Sequence, residues 1–455
     1  MKDNKKNFRY RLMAILAILL VVPVIVVLAN RLEGQEPQLS LVAPIKHVGI
    51  QRQVTATLAD TKSGLKRFWV AVMQNGKEIT LIDKNYPATG WLRKGALRSQ
   101  SVKFSIEPRK NGLTDGDALL RMMVVDYAWR SWGKGNRTYV ETDIHIDTQE
   151  PAIRVISQAH NISPGGSNAV VYELSETCQN SGVQIADVFF RGYPMGTAND
   201  DRHVAFFALT HTQGKGTQMS LKATDMAGNV TTNSFPHYIK SKKFRRDTIR
   251  ISDDFIARKR PEFKNDPKVE QLTMPLELFL YINRDLRRQN KTVIDQIMQQ
   301  SEAHKLWEGS FMRLPRSATR AGFGDERTYR YGGKRVDQQT HLGIDLASVS
   351  NSPVPAANAG KVVYAKRLGI YGRTVIIDHG WGLFSMYAHL NSMDVNKGQQ
   401  VQKGDIIGNT GTTGLAGGDH LHFSVLVQGV FVNPLEWWDP TWIQNNITSK
   451  LGQSG

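Results

Sequence analysis

The chain has 455 residues, room for about three domains, and its apolar (40%) and charged (22%) fractions exclude wholesale disorder and collagen-like structure. Lysine and arginine outnumber aspartate and glutamate 58 to 41, a formal charge of +17 that favours a polyanionic neighbour: nucleic acid, an anionic membrane surface or an acidic wall polymer. Cys178 is the single cysteine, which excludes an intrachain disulfide, a cysteine-based zinc site and a thiol-redox pair.

Residues 12–29 form an uncharged, almost wholly apolar run containing Pro23. As a helix it measures about 27 Å, close to the roughly 30 Å of bilayer hydrocarbon. Lys2, Lys5, Lys6, Arg9 and Arg11 precede it, so the N-terminus is expected to stay cytoplasmic and the remainder to lie outside the cytoplasm. A cleaved signal peptide is the rival, because Val27-Leu28-Ala29 loosely resembles a cleavage site; an uncleaved anchor is preferred because the run exceeds the usual length of a signal's apolar region. Export in either form excludes nucleic acid as a partner.

From about residue 39 to 238 the pattern is short alternating runs separated by turn residues. Val54-Thr55-Ala56-Thr57-Leu58, Arg67-Phe68-Trp69-Val70-Ala71-Val72 and Met219-Ser220-Leu221-Lys222-Ala223 read as half-buried strands. Two internal echoes occur. Ser63-Gly64-Leu65 answers Ser181-Gly182-Val183, and Asp126-Tyr127-Ala128 with Gly135-Asn136-Arg137-Thr138 answers Asp225-Met226-Ala227-Gly228-Asn229-Val230-Thr231. Gly-Asn after a strand is hairpin chemistry, since both residues tolerate positive φ. The spacing of the two aspartates, 99 residues, suits one β-sandwich per repeat. The pattern resembles bacterial immunoglobulin-like modules, which implies two in tandem, split near Gln149-Glu150-Pro151, acting as spacers or substrate-contacting surfaces; the alternative is one larger irregular β domain.

Nine lysines and arginines crowd residues 240–260, read first as a solvated linker and second as a contact for anionic lipid or wall polymer. Leu278, Phe279, Ile282 and Leu286, then Val293, Ile294, Ile297 and Met298, recur at helical spacing, so a helical segment is expected over about 274–305. Directly preceding the last domain, it is expected to cover that domain's entrance and to confer latency.

The last third is a Gly-rich β pattern with concentrated histidine. Gly360-Lys361-Val362-Val363-Tyr364-Ala365, Thr374-Val375-Ile376-Ile377-Asp378 and Leu383-Phe384-Ser385-Met386-Tyr387 read as successive strands. Around them lie His341-Leu342-Gly343-Ile344-Asp345, Tyr387-Ala388-His389-Leu390 and His420-Leu421-His422-Phe423. Residues two apart on a strand share a face, so His420 and His422 address one site. Two imidazoles and a carboxylate make an open catalytic zinc site, in which the metal lowers the pKa of bound water to about 7. Further histidines nearby can serve as general base or donate to an oxyanion. A mononuclear iron oxygenase uses the same donor types, but its usual His-x-Asp spacing differs from the His-x-x-x-Asp present. His379 opens a turn and is expected to be structural; Tyr371 and Trp381 are candidate groove-wall residues.

These three motifs, with Phe323-Gly324, Gly408-Asn409-Thr410-Gly411 and Asn433-Pro434 before Trp437-Trp438, closely resemble the lysostaphin/LytM-type zinc endopeptidases that cut peptidoglycan peptides. The resemblance covers about residues 314–442. It implies one zinc ion per catalytic domain held by His341, Asp345 and His422, with His389 and His420 beside the metal-bound water as base and electrophilic helper. Ser424 departs from the acidic residue common in the family and is not expected to matter, because it is no ligand.

The expected molecule is therefore mainly β: a basic cytoplasmic tail (1–11), a transmembrane helix (12–29), two tandem Ig-like β-sandwiches (37–148 and 149–240), a basic linker with a helical segment (241–310), a C-terminal antiparallel β-sheet metallopeptidase domain (311–442) and a tail (443–455). Its expected function is a single-pass, membrane-anchored zinc endopeptidase that acts on peptidoglycan in the periplasm or outside the cell. The alternative is a wall-binding regulator that recruits or activates another hydrolase, as relatives with lost ligands do.

Overall fold

The computed structural model describes residues 2–90, 94–196 and 201–452. The apolar run lies in one helix, Lys2–Arg31, within which Phe8–Ala29 has a mean hydropathy of 3.3 and no buried share, long and apolar enough to cross a membrane. Pro23 sits inside it, where a missing N–H removes one backbone bond without ending the helix.

The chain divides into two units by internal contacts, one comprising residues 1–150 with 224–229, the other the remainder. In the first, alternation does what the period-2 pattern demands. Val54, Ala56 and Leu58 from strand Arg52–Ala59 and Val102, Phe104 and Ile106 from Ser99–Ile106 point into a core. They meet Phe68, Val70 and Val72 from Leu65–Gln74 and Leu120, Met122 and Val124 from Gly116–Asp126. A three-stranded and a five-stranded sheet thus share one apolar interior. The internal echo has a physical basis. The Asp126 carboxylate accepts from Ala128 N, Asn136 N and Asn136 Nδ2 at 2.7–2.9 Å, and Asp225 accepts from Gly228 N, Asn229 N and Asn229 Nδ2 at 2.6–2.9 Å. The same clasp closes both repeats.

The second unit contains two four-stranded sheets and, on one continuous core with them, an antiparallel sheet of eight strands. Its order runs Ala318–Ala321, Ile344–Ala347, Leu421–Val427, Leu383–Leu390, Arg373–Asp378, Gly360–Arg367, Gln400–Val401, with Val430–Val432 paired to Leu421–Val427. Leu383–Leu390 and Leu421–Val427 are buried along their whole length, which explains their near-continuous apolar sequence.

Three segments differ from expectation. The basic stretch is built structure: Arg246–Ile251 forms an edge strand parallel to Glu326–Tyr331, and Asp253–Lys259 follows as a helix capped by Ser252, whose Oγ accepts from Phe255 N. The helical segment, Pro275–Leu280, Tyr281–Leu286 and Arg287–Ile297, ends eight residues before the expected 305. Beyond it Asp378 captures the chain, accepting from Ser301 Oγ at 2.7 Å and Glu302 N at 2.8 Å, which an unbroken helix would forbid. The expected tail is helical through Leu451 and docked: the Lys450 ammonium is buried and donates to Asn168 Oδ1 and Ala169 O. Residues 453–455 of that tail lie outside the described residues.

Candidate metal centre

Sheet register assembles the site. Asp345 on Ile344–Ala347 is paired with His422 on Leu421–Val427, and His422 is paired with Ala388 on the far side, next to His389. His341 reaches the same point from the turn before Ile344–Ala347. Three donor atoms converge: His341 Nε2 lies 2.9 Å from Asp345 Oδ1 and 3.0 Å from His422 Nδ1, which lies 3.0 Å from Asp345 Oδ1. A tetrahedral ion with bonds of about 2.1 Å holds its donors about 3.4 Å apart, so a shift of a few tenths of an ångström accommodates one. Two imidazoles and one carboxylate form a donor set that fits zinc and could hold it with a position left open.

The surroundings fix each donor. His341 Nδ1–H donates to Gly322 O at 2.8 Å, which leaves Nε2 its lone pair. His422 Nε2–H donates to Ser424 Oγ at 3.0 Å, and that hydroxyl donates to Leu342 O at 2.8 Å. Ser424, dismissed on sequence grounds, is thus the residue that aims Nδ1 of His422 at the site. Gly343 is required by the same ring, since a Cβ there would stand 2.6 Å from His422 Cε1 and Nε2. Arg327 Nη2 donates to the second Asp345 oxygen at 2.9 Å. Neither Arg327 nor Gly343 carries a local sequence signal of its role.

Burial sets the protonation of the group. It pushes the His422 imidazole down to about 4, against the opposing pull of Asp345, so the ring is neutral, as a ligand must be. Burial alone would raise Asp345, but the charge and hydrogen bond of His341, with bonds from His420 and His422, hold it well below the usual carboxylate range. His389 is pushed well below its ordinary value by burial and by His420 and His422. His420 moves the other way: burial opposes protonation, but the neighbouring Asp345 outweighs it and raises the imidazole.

His389 and His420 stand beside the three donors, with ring centroids 4.9 Å apart and His389 5.7 Å from His422. His389 Nδ1–H donates to Thr413 O at 2.9 Å, turning Nε2 inward as an acceptor, and its backbone is left-handed at φ 63°, strain that the surrounding strands must hold. His420 Nδ1 donates to Gly418 O at 2.8 Å and its Nε2 lies 3.5 Å from Asp345 Oδ1.

A cavity of about 470 Å³ opens over these residues. Tyr371, 5.6 Å from His422 between ring centroids, lines it as expected. Trp381 does not; it packs on Phe206 and donates to Ala303 O. His379 is buried and structural, donating from Nδ1 to Ala359 O at 2.7 Å and bonding Ser385 Oγ at 2.7 Å. The opposite wall comes from segments N-terminal to the β-sheet: Arg250, Phe255, Arg258, Phe279 and Arg287. That wall is clamped to two loops beside the site, the one whose Thr413 carbonyl orients His389 and the one that carries Ile370. Glu262 Oε2 accepts from Gly414 N at 2.8 Å, Lys259 Nζ donates to Thr412 O at 2.6 Å, and Asn290 Oδ1 accepts from Ile370 N at 2.9 Å.

Residues 339–434 match the family model described as Peptidase family M23. Over 101 residues (22% of this chain, 23% of the relative) the chain is 39% identical to the DD-carboxypeptidase/endopeptidase Mpg of Neisseria meningitidis serogroup B. It is 38% identical over 96 residues (21% and 22%) to the peptidoglycan DD-endopeptidase ShyA of Vibrio cholerae, and 33% identical over 109 residues (24% and 26%) to the murein hydrolase activator EnvC of Escherichia coli. The chain thus spans about a quarter of the length of these relatives. The matched stretch carries all five converging side chains, and with it this chain contains a domain of peptidase family M23.

Proposed function

We propose that this protein is a membrane-anchored zinc endopeptidase that hydrolyses peptide bonds in peptidoglycan. One observation carries the proposal: His341, Asp345, His389, His420 and His422, drawn from three separate motifs, meet at the floor of a single cavity with no member missing. Zinc held by His341, Asp345 and His422 would supply Lewis acidity toward a peptide carbonyl and lower the pKa of water to about 7. His389, neutral and with Nε2 turned inward, accepts the proton of the attacking water. His420, held by Gly418 O and favoured in its protonated form by Asp345, donates from Nε2 to the developing oxyanion. Arg327 and Ser424 keep Asp345 and His422 in position throughout. The apolar helix, preceded by basic residues, would hold this domain on the outer side of the cytoplasmic membrane.

The likeness to EnvC favours a second function, a regulator that activates another hydrolase. The two separate by experiment. The full chain is expected to bind one zinc per molecule and to release peptide fragments from defined muropeptides, identified by mass spectrometry, with His341→Ala losing both. A chain that binds no metal and cleaves nothing is the regulator instead.

A further inference from the structure

The cavity over the metal residues carries an unusual charge balance. Arg250, Arg258, Arg287 and Arg327 all line it, and the acidic group among its lining residues is Asp345, a proposed metal ligand. Asp345 is already engaged by Arg327 and the histidines. Arg287 spends Nε and Nη2 on the neutral acceptors Asn283 O and Asn283 Oδ1, which leaves its charge uncompensated. Arg250 and Arg258 make no ion pair with the described residues, and both are exposed toward the opening. Like charges gathered around one cavity repel, an arrangement that an anion relieves. Between the arginines the wall is apolar, with Ile249, Ile251, Phe255 and Phe279, which suits a peptide backbone with small side chains.

We infer that this cavity selects peptides bearing free carboxylates beside the scissile bond, recognised by Arg250, Arg258 and Arg287, and discriminates against the same peptides in amidated form. This rests on the proposed peptidase function and names its substrate class. The three arginines all lie outside residues 339–434, so the segment before the family domain, and not the domain itself, reads the charge. A guanidinium pairs a carboxylate through two parallel N–H bonds and gains far less from a primary amide, which offers one acceptor and no charge.

The test uses the full zinc-loaded chain and two crosslinked peptides identical except that the carboxylates flanking the scissile amide are free in one and primary amides in the other. Binding is measured by calorimetry and cleavage by chromatography. The acid peptide is expected to bind about tenfold tighter, with the preference in KM and little in kcat, and the gap to collapse in Arg250→Gln/Arg258→Gln while the double Lys variant keeps part of it. Equal binding and equal cleavage of the two peptides by the wild-type chain overturn the inference but leave the peptidase function standing. A preserved binding gap with neither peptide cleaved does the reverse. A glycerol-phosphate polymer that displaces the acid peptide at lower concentration than the peptide's own Kd assigns the arginines to wall polymer and also overturns the inference.

Discussion

Replacing Ser424 by alanine isolates what orientation contributes to the metal site. The side chain is fully buried, accepts from His422 Nε2–H at 3.0 Å and donates to Leu342 O at 2.8 Å, and makes no bond to the donor atoms themselves. Ser424→Ala leaves the buried His422 N–H without its acceptor, at a cost of about 1–3 kcal/mol before relaxation, and takes a donor from the part-buried Leu342 carbonyl. The His422 ring also loses the bond that fixes its tautomer and direction, a change that typically weakens metal binding about 10- to 100-fold. The assay is zinc affinity by competition with a chelating dye, together with thermal melts of zinc-loaded and stripped protein. The expected result is a zinc Kd raised about 10- to 100-fold and a smaller gap between the loaded and stripped melting points. Ser424→Asp, which can again accept from Nε2–H, should recover most of the affinity. If Ser424→Ala lowers both melting points equally and leaves the zinc Kd within about twofold, the hydroxyl only packs, and its role in aiming His422 is wrong.

Three further outcomes follow from the same geometry. Gly343→Ala places a Cβ 2.6 Å from the His422 ring and should weaken zinc binding more than it lowers the melting point of the stripped protein; unchanged affinity rejects the contact as limiting. Because residues 246–287 wall the cavity and are clamped to the Thr412–Gly414 loop, a fragment spanning 311–455 should cleave peptidoglycan faster than the whole chain and lose the preference for the acid peptide; equal rates reject a covering role. His379 is buried with its pKa lowered to about 4, so the unfolded chain binds its proton first. The stability it contributes is complete above about pH 6.5 and is lost as pH falls toward 4. Between pH 7 and 5 the wild-type chain should lose about 2 kcal/mol more than His379→Gln in denaturant titrations, and equal losses refute the assignment.

Much of this protein could be read from local pattern. The N-terminal apolar helix is a matter of length and hydropathy, which no tertiary contact alters. The strand around Val54 announces itself by period-2 burial and the one around Val375 by its near-continuous apolar run, while His-x-His spacing puts His420 and His422 on one face and the resemblance of the three motifs supplies the other site candidates. What stayed hidden depends on partners far away in the chain. Arg246–Ile251 reads as solvated charge until Glu326–Tyr331, 80 residues on, supplies its backbone partner; a parallel pairing of that separation leaves no trace in either segment's period. The helix ends at Ile297, and the chain beyond it is held by Asp378, 76 residues on from the Glu302 N–H that it accepts, a contact that no local pattern announces. Ser424 and Arg327 are ordinary polar residues until the fold sets them against His422 and Asp345. The amino-acid order alone therefore determined which atoms can hold a metal, while only the folded chain decided what aims those atoms and what charge a substrate meets on its way to them, since both depend on long-range contacts that local periodicity does not encode.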